Sequence, residues 1–199
     1  RMVKELKGIP CYVLENQPPR KKNICTSRSF GMDVRELAEL KEAVANYATM
    51  CAMKLRKEKS LATSVLVFIK TNPFKNEGYQ YNNCQKLTLD VPSNDSLVLT
   101  KEALRVLDHI YKKGYAYKKA GVIVSDIVPD DSRQLSFFSN QDPFKTNHVM
   151  QAMDHINQTM GRDKVRLAVQ GFDRKWRLKQ EKLSRCYTTR FSDMLNVKL

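Results

Sequence analysis

The amino-acid sequence predicts an α+β fold in which four β-strands form one sheet and two helices pack on one of its faces. Segments with strand and helix periodicity follow one another in the order β-α-β-β-α-β between residues 24 and 130. This order is a split βαβ arrangement, which leaves the second face of the sheet without a helix. Hydrophobic residues make up 42% of the 199, enough for a packed core in one or two domains. A smaller α/β extension is expected after the sheet domain.

Residues 1–23 form a short basic segment ahead of the first strand. Arg1 to Leu6 has the pattern of the end of a helix, which Gly8 and Pro10 stop. Residues 16–22 contain two prolines followed by three basic residues, which is typical of a linker. Because the chain starts within a helical pattern, we expect it to be part of a longer protein.

The first strand and the first long helix are expected between residue 24 and about residue 59. The strand is predicted over Ile24 to Phe30, with Gly31 ending it. Asp33 is the expected N-cap of the helix, and Glu36 is its capping-box partner. Seven apolar positions follow the spacing of an amphipathic helix: Leu37, Leu40, Val44, Tyr47, Ala48, Cys51 and Leu55.

The next two strands are predicted to differ in burial. Thr63 to Lys70 is almost continuously apolar and β-branched, which is typical of a well-buried strand. Asn72-Pro73 is expected to end it. Between Lys86 and Val91 apolar and polar side chains alternate, which predicts one buried and one solvated face.

A second helix and a fourth strand complete the predicted sheet domain. Residues 92–96 are expected to form a turn, with Thr100 capping the helix and Gly114 ending it. The apolar positions of this helix are Ala103, Leu104, Leu107, Ile110 and Tyr111. The last strand is expected over residues 115–128, with its apolar residues concentrated in Val122 to Val128.

The uncovered face of this sheet is predicted to be basic. Alternate strand residues should place cationic side chains on it: Arg28, Lys70, Lys86, and Lys118 or Lys119. A flat basic sheet can hold a phosphate backbone through side chains and backbone amides without reading base edges. The alternative is that these lysines serve solubility alone. The net charge of +14 favours a polyanionic partner.

Composition excludes several classes of protein. No apolar run approaches the roughly 20 residues of a membrane-spanning helix, and no signal peptide opens the chain. The five cysteines are widely spaced without a Cys-x-x-Cys pattern, which favours buried free thiols in a reducing, cytoplasmic compartment. His148 and His155 could share a helix face, but no cluster of cysteines or carboxylates completes a metal site. We therefore expect neither a metal nor a cofactor in this chain.

The extension is predicted to contain one helix and one strand, followed by a basic tail. The helix should run over residues 146–160, with Val149, Met153, Ile156 and Met160 as its apolar stripe. The strand is expected over Val165 to Val169. Between residues 162 and 190, ten lysines and arginines face three acidic residues. Trp176 lies among these charges, where it could stack on a base or anchor the tail; the sequence favours anchoring.

A short apolar cluster lies between two polar stretches: Gln134, Leu135, Ser136, Phe137 and Phe138. Because no long amphipathic element adjoins it, the cluster either packs back onto its own domain or enters a groove on a partner. The pattern Gln-Leu-x-(Leu/Phe)-Phe resembles the sliding-clamp-binding motif of bacterial DNA polymerases.

Further segments match one polymerase family in the same order along the chain. They are Ser27 to Gly31, Tyr47-Ala48, Lys54 to Arg56, Phe68 to Phe74, Gly114-Tyr115, Tyr117 to Val122, Gln134 to Phe138, Gln170-Gly171, Trp176 and Tyr187 to Arg190. Together they span nearly the whole chain. The chain resembles the C-terminal half of the UmuC-type catalytic subunits of bacterial DNA polymerase V, which are Y-family translesion polymerases.

The resemblance implies a division into four parts. Residues 1–23 would be the end of the thumb region and a linker, and 24–130 the little finger, a DNA-gripping domain. Residues 131–145 would bind the β sliding clamp through the Gln134 to Phe138 motif, and 146–199 would be a basic extension of the UmuC type. The expected DNA contacts are Ser27, Arg28, Ser29, Lys70, Thr71, Lys86, Lys118 and Lys119.

The resemblance also implies a role for the parent protein. It would be a Mg²⁺-dependent DNA polymerase of the SOS response, acting on primer–template DNA with a UmuD′-type accessory subunit and a RecA-type filament as further partners. Its catalytic carboxylates would lie upstream of Arg1, so this chain alone is expected to be inactive. Two alternatives remain open: a stand-alone RNA-binding module with a ferredoxin-like sheet, and an adaptor that binds protein alone. The lack of a Gly- and aromatic-rich strand motif disfavours the first, and the charge disfavours the second.

Overall fold

The computed structural model describes residues 1–12, 20–75, 79–132, 143–178 and 182–194. Its helices and strands are α1 (Met2–Leu6), β1 (Asn23–Val34), α2 (Leu37–Lys57), β2 (Ser60–Thr71), β3 (Asn82–Ser93), α3 (Ser96–Ile110), β4 (Tyr117–Pro129) and α4 (Pro143–Thr159). The strands form one antiparallel sheet in the order β1-β4-β2-β3. This confirms the predicted α+β domain with its β-α-β-β-α-β order. The strands run longer than predicted at most of their ends.

The core lies between the sheet and the two helices α2 and α3. Alternate residues of the central strands point into it, and Val65 of β2 lies opposite Val124 of β4 in the register. The predicted stripe of α2 is buried, with Leu40 and Leu55 fully covered, and Leu107 of α3 is covered as well. Burying one such side chain stabilises the fold by about 1.5–3 kcal/mol. This layer therefore holds both helices on one sheet face, and within the described residues no helix lies on the other face.

Gly31 lies inside β1 and does not end it, so that prediction is wrong. Its N–H donates a hydrogen bond to the carbonyl oxygen of Trp176 at 3.0 Å. A Cβ atom at this position would lie 2.6 Å from the carbonyl oxygen of Arg177. The glycine is needed because another stretch of backbone approaches β1 at this point.

Both predicted helix caps are wrong. Asp33 lies within β1, and its carboxylate pairs with Lys75 at 2.5 Å; α2 begins at Leu37 without a side-chain cap. Helix α3 begins four residues before Thr100, because the Asp95 side chain accepts a hydrogen bond from the Leu97 N–H at 2.8 Å. An N-cap needs its oxygen within reach of the first free N–H groups, which Asp95 provides and Thr100, buried within the helix, does not.

The predicted helix of the extension is confirmed as α4, which begins three residues earlier than expected. Its buried face is formed by Met150 and Met153, whereas Val149 and Met160 of the predicted stripe are exposed. The predicted strand at residues 165–169 is wrong, because residues 165–167 form a bend and irregular backbone that lead into a 3₁₀ helix at Ala168–Gln170. The helix meets the sheet domain over a narrow contact, so a periodic stripe along its whole length is not buried.

Trp176 anchors the extension to the sheet domain, as the sequence favoured. Only 5% of the residue is exposed. Its ring meets Phe30 of β1 and Tyr47 of α2 edge to face, with centroids 6.0 and 5.9 Å apart. Such contacts add to the burial of a large apolar surface. The indole ring is therefore part of the domain core and is not available to stack on a base.

Two polar contacts fix the extension against α2. The Asn46 amide donates to the backbone oxygen of Gln170 at 2.9 Å, and both residues are buried. Arg56 forms a two-pronged ion pair with Asp154 of α4, at 2.6 and 2.8 Å. The same guanidinium donates to the backbone oxygen of Asn94 at 2.6 Å. A planar guanidinium with several acceptors fixes orientation as well as distance, so α4 has a defined position on the sheet domain.

Candidate nucleic-acid interface on the sheet

The strand register defines the sheet face on which none of the described helices lies, and we call it the open face. Residues paired across antiparallel strands point to the same side of a sheet. On β4, Ala120, Val122 and Val124 are core residues, so the alternate residues point away from the helices. Across β1, β4, β2 and β3 this gives four rows: Ser29, Lys119, Lys70 and Asn82; Ser27, Gly121, Phe68 and Cys84; Cys25, Ile123, Leu66 and Lys86; and Asn23, Ser125, Ser64 and Thr88.

Five of the predicted contact residues lie on the open face: Ser27, Ser29, Lys70, Lys86 and Lys119. Lys118 is the extra residue of a β-bulge, since Lys70 pairs with Lys119 while Thr71 pairs with Tyr117. The sequence left Lys118 and Lys119 as alternatives, and the register selects Lys119. The role of these residues in binding stays a prediction.

Arg28 does not lie on the open face, which corrects the predicted placement. It pairs with the core residue Ala120, so its side chain points to the side that carries the helices. It remains exposed because β1 is an edge strand. Burial raises the pKa of the Tyr47 phenol in α2, and the nearby Arg28 charge partly offsets that rise. The prediction failed because the register, and not the residue type, decides the face.

Thr71 is also on the covered side and is 8% exposed. Its hydroxyl donates to the Gln80 side chain at 2.7 Å and accepts from the backbone N–H of Tyr81 at 3.0 Å. The hydroxyl is thus committed to the connection between β2 and β3. A direct phosphate contact by Thr71 is not supported.

One end row of the open face, which holds Lys70 and Lys119, is basic, and the two rows next to it are largely apolar. The Phe68 ring lies over Gly121, where a Cβ atom would come within 2.4 Å of the ring. Leu66 and Ile123 beside it are partly exposed. Lys70 and Lys86 are four residues apart along the sheet and on adjacent strands, which separates them by roughly 14 Å. That spacing is close to the roughly 12 Å width of a DNA major groove.

Lys70 and Lys119 form a like-charged pair directly across β2 and β4. Opposed residues in an antiparallel pair have Cβ atoms about 5 Å apart, and like charges at that distance are destabilising. Among the described residues, neither ammonium group has an acidic partner in an ion pair. Two adjacent positive charges that nothing in the described chain neutralises are well placed to bind an anion.

Asp126 is a feature of the open face that the sequence analysis missed. Its carboxylate accepts hydrogen bonds from Lys86 at 2.7 Å and Ser64 at 2.9 Å. These contacts, that of Lys86 above all, lower the pKa of the carboxyl group. Its backbone has φ +53°, in the left-handed region that aspartate tolerates better than most residues. In the sequence, an acidic residue inside an otherwise apolar strand could have pointed to Asp126.

The cysteines are less buried than predicted. Cys51 alone is buried, and burial raises the pKa of its thiol to about 11, so it is neutral at physiological pH. Cys25 and Cys84 are exposed on the open face, and Cys186 is exposed in the extension. The prediction of buried free thiols therefore holds for one of the five.

Neither a metal centre nor a membrane span is found in the described part of the chain. Within it, His, Cys, Asp and Glu side chains do not gather in threes around a possible ion. None of its helices combines the length and apolar character needed to cross a bilayer.

Comparison with known families gives two matches that together span most of the chain. The model of the impB/mucB/samB family C-terminal domain matches residues 21–137. A second family model, a domain of unknown function, matches residues 147–197. Residues 138–146, between the two matches, lie after β4 and extend into the first turn of α4.

Individual relatives are similar over nearly the full length of this chain. Protein UmuC of Salmonella typhimurium is 40% identical over 200 residues, which cover 100% of this chain and 47% of that protein. Protein ImpB of the same species is 37% identical over 195 residues, covering 98% and 46%. Protein MucB of Escherichia coli is 35% identical over 190 residues, covering 95% and 44%. The chain spans about half the length of the curated relatives it matches.

Among solved structures, the complex of a beta-clamp processivity factor with the little finger domain of PolIV contains a similar chain. The similarity has a TM-score of 0.40 and 17% sequence identity, and it covers 59% of this chain and 99% of that one.

Proposed function

The chain belongs to the impB/mucB/samB family, whose C-terminal domain occupies more than half of it, and we propose that it is the DNA-gripping, clamp-binding region of an error-prone translesion DNA polymerase. The relatives are about twice as long, which leaves room for a catalytic part outside this chain. In this proposal the whole protein is a Mg²⁺-dependent nucleotidyltransferase of the SOS response and DNA repair. This chain holds the DNA and is inactive alone.

The opposed pair Lys70 and Lys119 is the observation that carries the DNA-binding proposal. Placing two unneutralised ammonium groups side by side lowers stability, and a phosphate bound between them would offset this cost. Lys86 lies two rows away, where the paired Asp126 carboxylate partly offsets its positive charge. Contacts to phosphates do not depend on sequence. A domain that binds in this way tolerates damaged or distorted templates, because it does not examine base edges.

We expect the double variant Lys70→Ala/Lys119→Ala to bind duplex DNA at least about tenfold more weakly at 0.1 M salt. Removing each phosphate-binding lysine should also reduce the slope of log K against log salt by about one. The measurement is fluorescence anisotropy with a labelled 20-base-pair duplex, titrated at several salt concentrations.

The matched control is Lys57→Ala/Lys101→Ala, which removes the same charge from exposed positions on α2 and α3, on the other side of the sheet. It should change the slope little. Equal reductions of affinity in both double variants would mean that net charge alone attracts DNA, and the open face would not be the binding surface.

Removing the acidic charge at Asp126 should have the opposite effect. In Asp126→Asn, Lys86 loses its ionic partner and the face loses a negative charge, so we expect duplex affinity to rise about two- to fivefold. The control is Asp108→Asn, which breaks the ion pair with Lys41 on the helix side of the domain. If both variants bind DNA as the unmodified chain does, Lys86 does not contact the phosphate backbone.

The clamp-binding part of the proposal rests on sequence alone, because Gln134, Leu135, Ser136, Phe137 and Phe138 lie outside the described residues. A peptide of this pattern would bury its leucine and phenylalanines in an apolar pocket of the β sliding clamp, with the glutamine as a polar contact. Two linked contacts, one to DNA and one to a clamp that encircles it, make rebinding effectively intramolecular. The UmuD′-type subunit, the RecA-type filament and a cytoplasmic location remain part of the proposal through the family resemblance.

One observation favours a second candidate, an RNA-binding module. Phe68 lies on a central strand with its ring on the open face, which is where sheet-based RNA-binding domains place stacking aromatics. Tighter binding of single-stranded RNA than of duplex DNA would support this candidate over the first.

A further inference from the structure

The connection between β2 and β3 presents two aromatic side chains to solvent. Phe74 is 90% exposed and Tyr79 is 89% exposed. Single exposed apolar residues are common on protein surfaces and need no explanation. Here two large rings flank the same short connection, at the end of the sheet where Lys70 and Lys119 lie. Exposed aromatic rings and two cations unpaired among the described residues therefore lie at the same end of the sheet.

Hydrogen bonds hold the backbone next to both aromatic residues in place. The Gln80 side chain donates to the backbone oxygens of Asn72 and Lys75, at 3.0 Å each, and accepts from Thr71 at 2.7 Å. The Phe74 N–H donates to the Asn72 side chain at 3.1 Å. Lys75 is tied to Asp33 of β1 by an ion pair. These bonds fix the base of the connection and hold the points from which both rings project.

The surface beside Tyr79 is concave and has cationic residues in its lining. A cavity of about 640 Å³ lies beside Tyr79, and Arg35, Lys75 and Tyr115 are among its lining residues. Asp33, its acidic lining residue, is already paired with Lys75. Lys70 is the second-last residue of β2, so the row of Lys70 and Lys119 lies next to the connection. A strand of DNA held at that row would meet the rings within two to three nucleotides, since Phe74 is at most roughly 14 Å from Lys70 along the chain.

We infer that Phe74 and Tyr79 form a stacking platform for unpaired bases of the single strand that continues from the duplex held on the open face. The inference rests on the proposed function and adds to it a contact with single-stranded DNA. Aromatic faces beside cationic groups are how proteins bind single strands without reading their sequence. The positive charge favours a nucleic acid over an apolar protein segment as the occupant. Thr71 and Gln80 act here as positioning residues.

The test compares two DNA substrates with the same duplex, one blunt and one with a ten-thymidine 5′ overhang. For the unmodified chain we expect tighter binding to the overhang substrate. In Phe74→Ala/Tyr79→Ala this preference should fall at least tenfold, while affinity for the blunt duplex is unchanged. Both rings are exposed, so the variant should melt at the same temperature as the unmodified chain. Tyr79→Phe keeps the ring and should retain the preference.

A direct signature of stacking comes from 2-aminopurine placed in the overhang. Its fluorescence should change when the unmodified chain binds and should stay constant with the double alanine variant. The control Phe172→Ala/Phe191→Ala removes two equally exposed rings from the extension and should behave as the unmodified chain.

The outcomes separate this inference from the proposal on which it rests. Binding to neither substrate by the unmodified chain would overturn both. Tight duplex binding with no loss of overhang preference in Phe74→Ala/Tyr79→Ala would leave the proposed function intact and overturn the platform. Equally weakened binding to both substrates would also overturn it, because the rings would then support the duplex contact.

Discussion

A chain carrying Phe137→Ala and Phe138→Ala is expected to lose more than 99% of its affinity for a bacterial β sliding clamp. If both rings enter the clamp pocket, removing a single anchor of this kind costs about 2–4 kcal/mol, and removing two exceeds a hundredfold change in Kd. The measurement is surface plasmon resonance with immobilised clamp. Phe137 is the last residue of the first family match and Phe138 lies just beyond it. A thermal melt of the variant should therefore accompany the measurement, to show that the variant is folded.

The matched control for this prediction again uses Phe172→Ala and Phe191→Ala, which remove two exposed phenyl groups from the extension. This variant should bind the clamp as the unmodified chain does. Equal clamp binding by the Phe137/Phe138 variant and the unmodified chain would show that another surface binds the clamp. Failure of the folded, unmodified chain to bind at all would remove the clamp from the proposal and leave the open face as its only support.

The variant Trp176→Ala is expected to lose about 3–5 kcal/mol of its free energy of unfolding. The indole packs edge to face against Phe30 and Tyr47, so its removal leaves a cavity shared by the extension and the sheet domain. Urea denaturation should show a lower midpoint, and limited proteolysis should cleave the extension faster, because its main apolar anchor on the domain is gone.

Two further variants serve as controls for Trp176→Ala. Trp176→Phe keeps an aromatic ring in the site and should lose less than half as much stability. Phe172→Ala changes an exposed ring a few residues away and should leave the midpoint unchanged. A Trp176→Ala midpoint equal to that of the unmodified chain would contradict the anchoring role. It would favour the other role considered for Trp176, stacking on a base.

Local sequence patterns predicted the elements of this fold well. The apolar stripe of α2, the alternation in β3 and the continuous apolar run of β2 each depend on residues a few positions apart, and helices and strands have fixed periods. The cap of α3 was missed because Ser93, Asp95, Ser96 and Thr100 could all serve at its start, and that of α2 because β1 continues through Asp33 to Val34. Only the chain direction after the strand shows which oxygen reaches the free N–H groups.

The sequence alone therefore determined the order of the elements, the positive charge and the segments that resemble the family. It did not determine the faces on which the charges lie. A shift of one residue in strand register moves a side chain to the opposite face. The bulge at Lys118 and the pairing of Arg28 with Ala120 therefore decided which cations share the open face. The Asp126–Lys86 pair and the docking of Trp176 join residues distant in sequence, so only the tertiary structure could bring them together.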